Sequence, residues 1–242
     1  VCSSDLQEMN YDVCVRLAAK EADETPRGVM VQDTAWDGYE EIPSWIMQGY
    51  GTMAMEAGEQ LKEYGCERPT HIFVQAGVGS LAGAVVGYFS NLYADNPPAF
   101  VVVEAEAAAC LYKGAAAGDG QIRIVDGDME TIMAGLACGE PNTISWDILK
   151  NHVKVFIAAP DWVAANGMRM LGAPIKGDAP VTSGESGAAP FGALAAIMSM
   201  DEYADLRKDI GLDENSRVLL FSTEGDTDPD RYKNIVWKGL DK

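Results

Sequence analysis

Residues 70–83 constrain this chain more than any other stretch. Thr70-His71-Ile72-Phe73-Val74 is an apolar run with the length of a buried strand, and Leu81 to Tyr93 has the pattern of a helix. Between them lies Gln75-Ala76-Gly77-Val78-Gly79-Ser80. A strand that turns through glycines into a helix N-terminus cradles phosphate. The backbone comes close to the anion, its N–H groups point at it, and the helix dipole favours negative charge. Ser80 adds a hydroxyl. From the loop alone three readings stand open. The Gly77-x-Gly79-x-x-x-Gly83 spacing approximates a dinucleotide fingerprint, with Glu104 at the end of the next strand as a ribose-binding acid. A cofactor with a single phosphate fits equally. A tight β–α turn whose glycines serve packing alone is the third.

Around this loop, apolar runs of strand length alternate with helical patterns. Helices are expected at Asn10–Ala22, Ile42–Tyr64, 79–93, 105–117, 143–151, 161–171, Ser183–Met200 and Asp201–Lys208. Pro43 sits in a first turn, where its missing N–H costs nothing. Strands are expected at Gly28–Gln32, 70–75, 100–104, Val153–Ala158 and Arg217–Phe221. This alternation predicts an α/β fold, a parallel twisted sheet covered by helices on both faces. No repeat or low-complexity linker marks a domain break.

The 242 residues suffice for a full core, and 48% hydrophobic with 23% charged content suits such a fold. The formal net charge of -19 argues against nucleic acid and anionic membrane as partners, since both repel it. No apolar run approaches the roughly 20 residues that span a bilayer. The five cysteines are odd in number and lack C-x-x-C spacing, which suits reduced cytoplasmic thiols, although a Cys110–Cys138 bridge stays open. Two histidines, His71 and His152, allow neither a metal cluster nor a Ser-His-Asp triad.

Ligands in open α/β sheets bind at the carboxyl ends of the strands. Asp33 ends the first expected strand, the glycine loop follows the second, and Ser222-Thr223-Glu224-Gly225 follows the last. Each also has a plainer role: Asp33 as a cap, Ser222 and Thr223 as an ST-turn. Ser183-Gly184-Glu185-Ser186-Gly187, a Gly-Ser turn opening an apolar helix, is a fourth candidate or a capping box. Trp36, Tyr39, Trp45 and Tyr50 read as packing aromatics.

Three segments together carry a resemblance. Gln32-Asp33-Thr34-Ala35-Trp36-Asp37-Gly38-Tyr39-Glu40-Glu41-Ile42-Pro43, the Gly77–Gly83 loop and Ser222-Thr223-Glu224-Gly225-Asp226-Thr227-Asp228 resemble diaminopropionate ammonia-lyases, from about Asn10 onward. The first motif is specific to that family. The other two are shared by fold type II pyridoxal-phosphate enzymes, including tryptophan synthase β and threonine dehydratase. The resemblance resolves the loop toward one phosphate, that of pyridoxal 5'-phosphate.

It implies β-elimination of 2,3-diaminopropionate to pyruvate and ammonia, the cofactor ring taking up electrons after a base removes the α-proton. Asp33 matches the base acting on the D-isomer. Gly77, Val78, Gly79, Ser80 and Leu81 match the phosphate loop, and Ser222 or Thr223 the hydroxyl meeting the pyridine nitrogen. Glu185 is counted with the cofactor-binding positions. A small amino-acid substrate, a cytoplasmic setting and a homodimer of the complete enzyme are also implied. The family carries its cofactor on a lysine near the N-terminus, beside an asparagine-bearing loop, and this chain resembles neither segment. Lys20, Lys62, Lys113 and Lys176 stand in other contexts, where a solvated charge is the ordinary reading. The chain is therefore expected to be a C-terminal portion, with 1–69 the remainder of a smaller domain and 70–242 most of the larger. It is expected to be inactive alone. Val1–Leu6 departs from the family pattern. Two other readings stand beside this one: a serine or threonine dehydratase, and a non-catalytic phosphate-ligand-binding protein.

Overall fold

Among the described residues, four strands carry the apolar runs: β1 (His71–Gln75), β2 (Ala99–Ala105), β3 (Val153–Ala159) and β4 (Val218–Leu220). The computed structural model describes residues 9–241, so Val1–Leu6 and Cys2 lie outside it. All three strand pairings are parallel, in the order β3-β2-β1-β4. Because side chains alternate along a strand, each run divides between two faces. Ile72, Val74, Phe100 and Val102 enter one core, and Phe73, Val101 and Val103 enter the other.

The helices are α1 (Tyr11–Glu24), α2 (Glu41–Glu63), α3 (Ser80–Leu92), α4 (Cys110–Ala117), α5 (Thr143–His152), α6 (Asp161–Gly172), α7 (Glu185–Ser199), α8 (Ala204–Ile210) and α9 (Pro229–Val236). The first core takes Ala54 from α2, Val85 and Phe89 from α3, Leu111 from α4 and Leu149 from α5. The second takes Met168 from α6, Ala189 and Ile197 from α7, Ile210 from α8 and Ile235 from α9. Each large side chain fully buried in this way contributes on the order of 1.5–3 kcal/mol.

The chain thus steps outward from β1 to β2 to β3 under one set of helices. It returns under the other set to lay β4 on the free side of β1. The direction of winding reverses at β1, and a crevice opens outside the carboxyl ends of β1 and β4.

Some expectations need correction. Gly28–Gln32 forms no strand: Val29 and Val31 are 69% and 68% exposed. A short apolar run becomes a strand only where a neighbouring edge takes its hydrogen bonds, and none does so among the described residues. Instead Gly28 N closes on Thr25 O at 2.8 Å, and the Tyr39 hydroxyl donates to Met30 O at 2.9 Å. The helix expected at 105–117 opens as a separate 3-10 turn, Glu106–Ala108, as does that at Asp201–Lys208, through Asp201–Tyr203. Helix α9 was not foreseen, although Asp228-Pro229 is a start signal and the Asp228 carboxylate accepts from Arg231 N at 3.0 Å. Cys110 and Cys138 are free thiols, and Cys110 Sγ donates instead to Cys138 O at 3.7 Å.

Candidate active site

The crevice holds a cavity of about 380 Å³ whose lining comes from both sides of the reversal. Its floor is Gln75-Ala76-Gly77-Val78-Gly79-Ser80-Leu81, running from β1 into α3. Gly79 adopts φ +99°, and a Cβ there would stand 2.8 Å from Ser145 Oγ. A Cβ on Gly77 would meet Gly135 O at 3.1 Å. Left-handed backbone at one glycine and close approach at the other turn the chain tightly into α3, whose first residues, Ser80 and Leu81, line the cavity.

Asp33, half-buried, comes to the same cavity from the loop after α1. Its Oδ2 accepts from the Tyr50 hydroxyl at 3.3 Å, reaching across from α2. Its carbonyl accepts from Ser80 Oγ at 2.7 Å. Burial and then the Asp33 charge push both the Tyr50 and Tyr11 phenols above their ordinary range. Tyr11 reaches the cavity because Asp12 latches α1 in place. The Asp12 carboxylate accepts from Gly139 N at 2.8 Å, and Cys138 on that same loop lines the cavity. Burial pushes the Cys138 thiol up to about 12, so it stays protonated near neutral pH.

The opposite wall comes from the loop after β4 and the start of α7. Gln75 Nε2 donates to Phe221 O at 3.0 Å and to Thr223 Oγ1 at 2.9 Å. Since Thr223 Oγ1 accepts that bond, its own proton is free for an acceptor. The Glu224 carboxylate accepts from Ser186 N and from Gly187 N, at 3.0 Å for the second, and so caps α7. Two polar atoms in this lining, Gln75 Oε1 and Ser186 Oγ, are buried with no protein partner. Desolvating such groups unpaired costs about 1–3 kcal/mol each, so they point to a polar occupant.

Of the sequence candidates, Asp33, Gly77, Val78, Gly79, Ser80, Leu81 and Thr223 therefore share one cavity. Ser222 does not line it; its hydroxyl donates to Ser183 Oγ at 2.8 Å. Glu185 also lies outside the lining, its carboxylate 3.3 Å from Arg231, and the residue this turn presents is Ser186. Glu104 is turned away from the cavity beneath α4, accepting from Leu111 N at 2.8 Å and Tyr112 N at 2.7 Å. Ser186 stands in the Ser183–Gly187 turn that the sequence offers as a fourth candidate, whereas Gln75, Tyr50 and Tyr11 are not among its site residues. Gln75 had a signal, the carboxyl end of a parallel strand, whereas Tyr50 lies a helix away from the residue it touches. Among the described residues no lysine lines the cavity and no His, Cys, Asp and Glu cluster could hold a metal ion. No described helix is long and apolar enough to cross a membrane.

Comparison with known proteins agrees with this geometry. Diaminopropionate ammonia-lyase of Salmonella typhimurium is 54% identical over 235 residues, which is 97% of this chain and 58% of that protein. The chain thus spans a little over half the length of that relative. The crystal structure of selenomethionine-incorporated holo diaminopropionate ammonia-lyase from Escherichia coli superposes with a TM-score of 0.88 at 46% identity, over 97% of this chain and 57% of that one. The same Escherichia coli enzyme in complex with D-serine gives 0.87 at 45%, over 97% and 57%. A family model described as pyridoxal-phosphate dependent enzyme matches residues 2–224. With that match over most of its length, and a glycine cradle at the switch point of a parallel sheet, the chain belongs to the pyridoxal-phosphate dependent enzyme family.

Proposed function

We propose that this chain supplies the phosphate cradle and one catalytic base of a 2,3-diaminopropionate ammonia-lyase. The observation that carries this reading is the meeting of Asp33 and the Gly77–Leu81 cradle in one cavity. The 54% identity to the Salmonella typhimurium enzyme supports it. The cavity fits pyridoxal 5'-phosphate: amides and a helix N-terminus for an anion, a free hydroxyl proton on Thr223, and unpartnered Gln75 Oε1 and Ser186 Oγ for further polar atoms. When bound, that group supplies a sink for the electrons left at the substrate α-carbon.

The chain's own residues do the rest. Gly77, Val78, Gly79, Ser80 and Leu81 hold the phosphate through backbone N–H groups. Thr223, in preference to Ser222, donates to the pyridine nitrogen. A neutral hydroxyl there satisfies the nitrogen without protonating it, which suits elimination over racemisation or transamination. Asp33 takes the α-proton of the D-isomer, and the Tyr50 hydroxyl holds the carboxylate that receives it. Glu185 acts at one remove, through its pairing with Arg231 at the α7 entry. Residues 1–69 belong, in this reading, to a smaller domain and 70–242 to the larger. A homodimer and a cytoplasmic setting complete it, the four described cysteines being free thiols.

Release of the 2-oxo acid by the full-length enzyme carrying this chain, pyruvate from diaminopropionate or serine and 2-oxobutanoate from threonine, tests the assignment. Diaminopropionate should be turned over at least about tenfold faster than serine or threonine, the scale of one net hydrogen bond. A preference for serine or threonine selects a dehydratase, and no 2-oxo acid from any of them leaves a phosphate-ligand-binding protein.

A further inference from the structure

Asn142 joins three segments far apart in the chain. It is fully buried at the N-cap of α5, and its Oδ1 accepts from Ser145 N at 3.0 Å. Its Nδ2 donates to Asp33 O at 2.6 Å and to Ser80 Oγ at 2.8 Å, spanning 109 and 62 residues. Its backbone N donates to Val78 O at 2.8 Å, inside the cradle. The orientation of the amide is forced. Asp33 O only accepts and Ser145 N only donates, so nitrogen must face the first and oxygen the second. Ser80 Oγ in turn donates to Asp33 O, closing a triangle.

We infer that Asn142 is a positioning residue that fastens the loop carrying Asp33 to the phosphate cradle, fixing the distance between base and anion site. The inference rests on the function proposed above for those two elements. A helix cap alone needs only the side-chain oxygen, which serine or threonine also provides. The two amide protons are surplus to capping, and both are spent on the cavity-lining segments. No other side chain of this length offers one acceptor and two donors in a plane. A small shift of a base relative to its substrate is costly in rate, so a rigid tie between them acts directly on turnover.

The test uses the full-length enzyme and Asn142→Ser, which keeps a cap and removes the amide. Two quantities are read: the dissociation constant of pyridoxal 5'-phosphate, and the ratio of pyruvate release from D- and L-diaminopropionate. Asn142→Ser should raise the first about tenfold, the scale of one buried hydrogen bond lost. It should lower the D/L ratio by a similar factor, because only the D-isomer relies on Asp33. A defect of general stability lowers both isomers alike and leaves their ratio unchanged. Wild-type values for affinity and ratio would overturn the inference. Should Asn142→Ser fail to fold, Asn142→Thr, a larger capping residue, carries the same readings. Asp33→Asn in parallel separates the two ideas. If that variant leaves the D/L ratio unchanged, the role given to Asp33 fails, and the cofactor affinity of Asn142→Ser alone then decides the tie to the cradle.

Discussion

At the scale of single residues, Asp33 depends on its neighbours for any chemistry it performs. The Tyr50 hydroxyl orients its carboxylate from α2, and the Ser80 hydroxyl and Asn142 amide hold its carbonyl. Asp33→Asn keeps the shape and those backbone bonds but has no basic oxygen. We expect pyruvate release from D-diaminopropionate by the full-length enzyme to fall on the order of 10²-fold or more, the usual contribution of a general base, with cofactor binding retained. Wild-type turnover would remove Asp33 from the mechanism. Asp33 was legible in the sequence because it stands in a specific motif. Tyr50 was not, because an aromatic on a helix is most often packing and its partner lies 17 residues away. Gln75 was hidden differently, and Ser186 was only one residue of a candidate turn: what marks both is a missing hydrogen-bond partner, which exists only in three dimensions.

At the scale of elements, apolar periodicity located β1 to β4 and α1 to α8 within a few residues of where they fold. It failed at Gly28–Gln32, where β-branched residues at alternate positions look like a strand but meet no edge. It missed α9, a polar helix in which only Ile235 is buried. Glu104 shows how an element's end can override a sequence motif. Where a dinucleotide fingerprint would place a ribose-binding acid, it supports the start of α4. Burial raises its pKa to about 8, against the opposing pull of the Leu111 and Tyr112 amides. The folded protein therefore keeps a proton on Glu104 that the unfolded chain has released above about pH 4.5. The contribution of Glu104 to stability therefore falls as pH rises between these two values, by an order of 1 kcal/mol per pH unit, and levels off above about 8. Calorimetry of the wild type and Glu104→Gln across pH 5–9 checks this. The variant, which has no proton to lose, should show a shallower decline of Tm with pH than the wild type over that window. Parallel curves would mean that Glu104 titrates alike in both states.

At the scale of the whole molecule, the alternation of strands and helices was enough to expect a parallel sheet covered on both faces. The order β3-β2-β1-β4 was not readable, because nothing local tells β4 to return beside β1. That return is what makes the site. It brings Thr223 and Glu224 to the carboxyl end of β1, opposite the glycine loop, and lets α7 close the wall with Ser186. The resemblance in sequence anticipated this assembly through three separated motifs, and the fold supplies the physical reason they belong together. The central claim is that the turn from β1 into α3 is a phosphate site for pyridoxal 5'-phosphate. Gly77→Asp tests it most directly, since a side chain there stands against Gly135, Leu136 and Cys138, which line the cavity, and so brings a carboxylate to the anion site. The measurement is equilibrium binding of pyridoxal 5'-phosphate to the full-length enzyme and to this variant, with cooperative unfolding of each confirmed. The account predicts that a folded Gly77→Asp protein binds the cofactor about 100-fold more weakly or worse, the scale of losing charge-assisted hydrogen bonds to a phosphate. Equal affinity in the two proteins would contradict it.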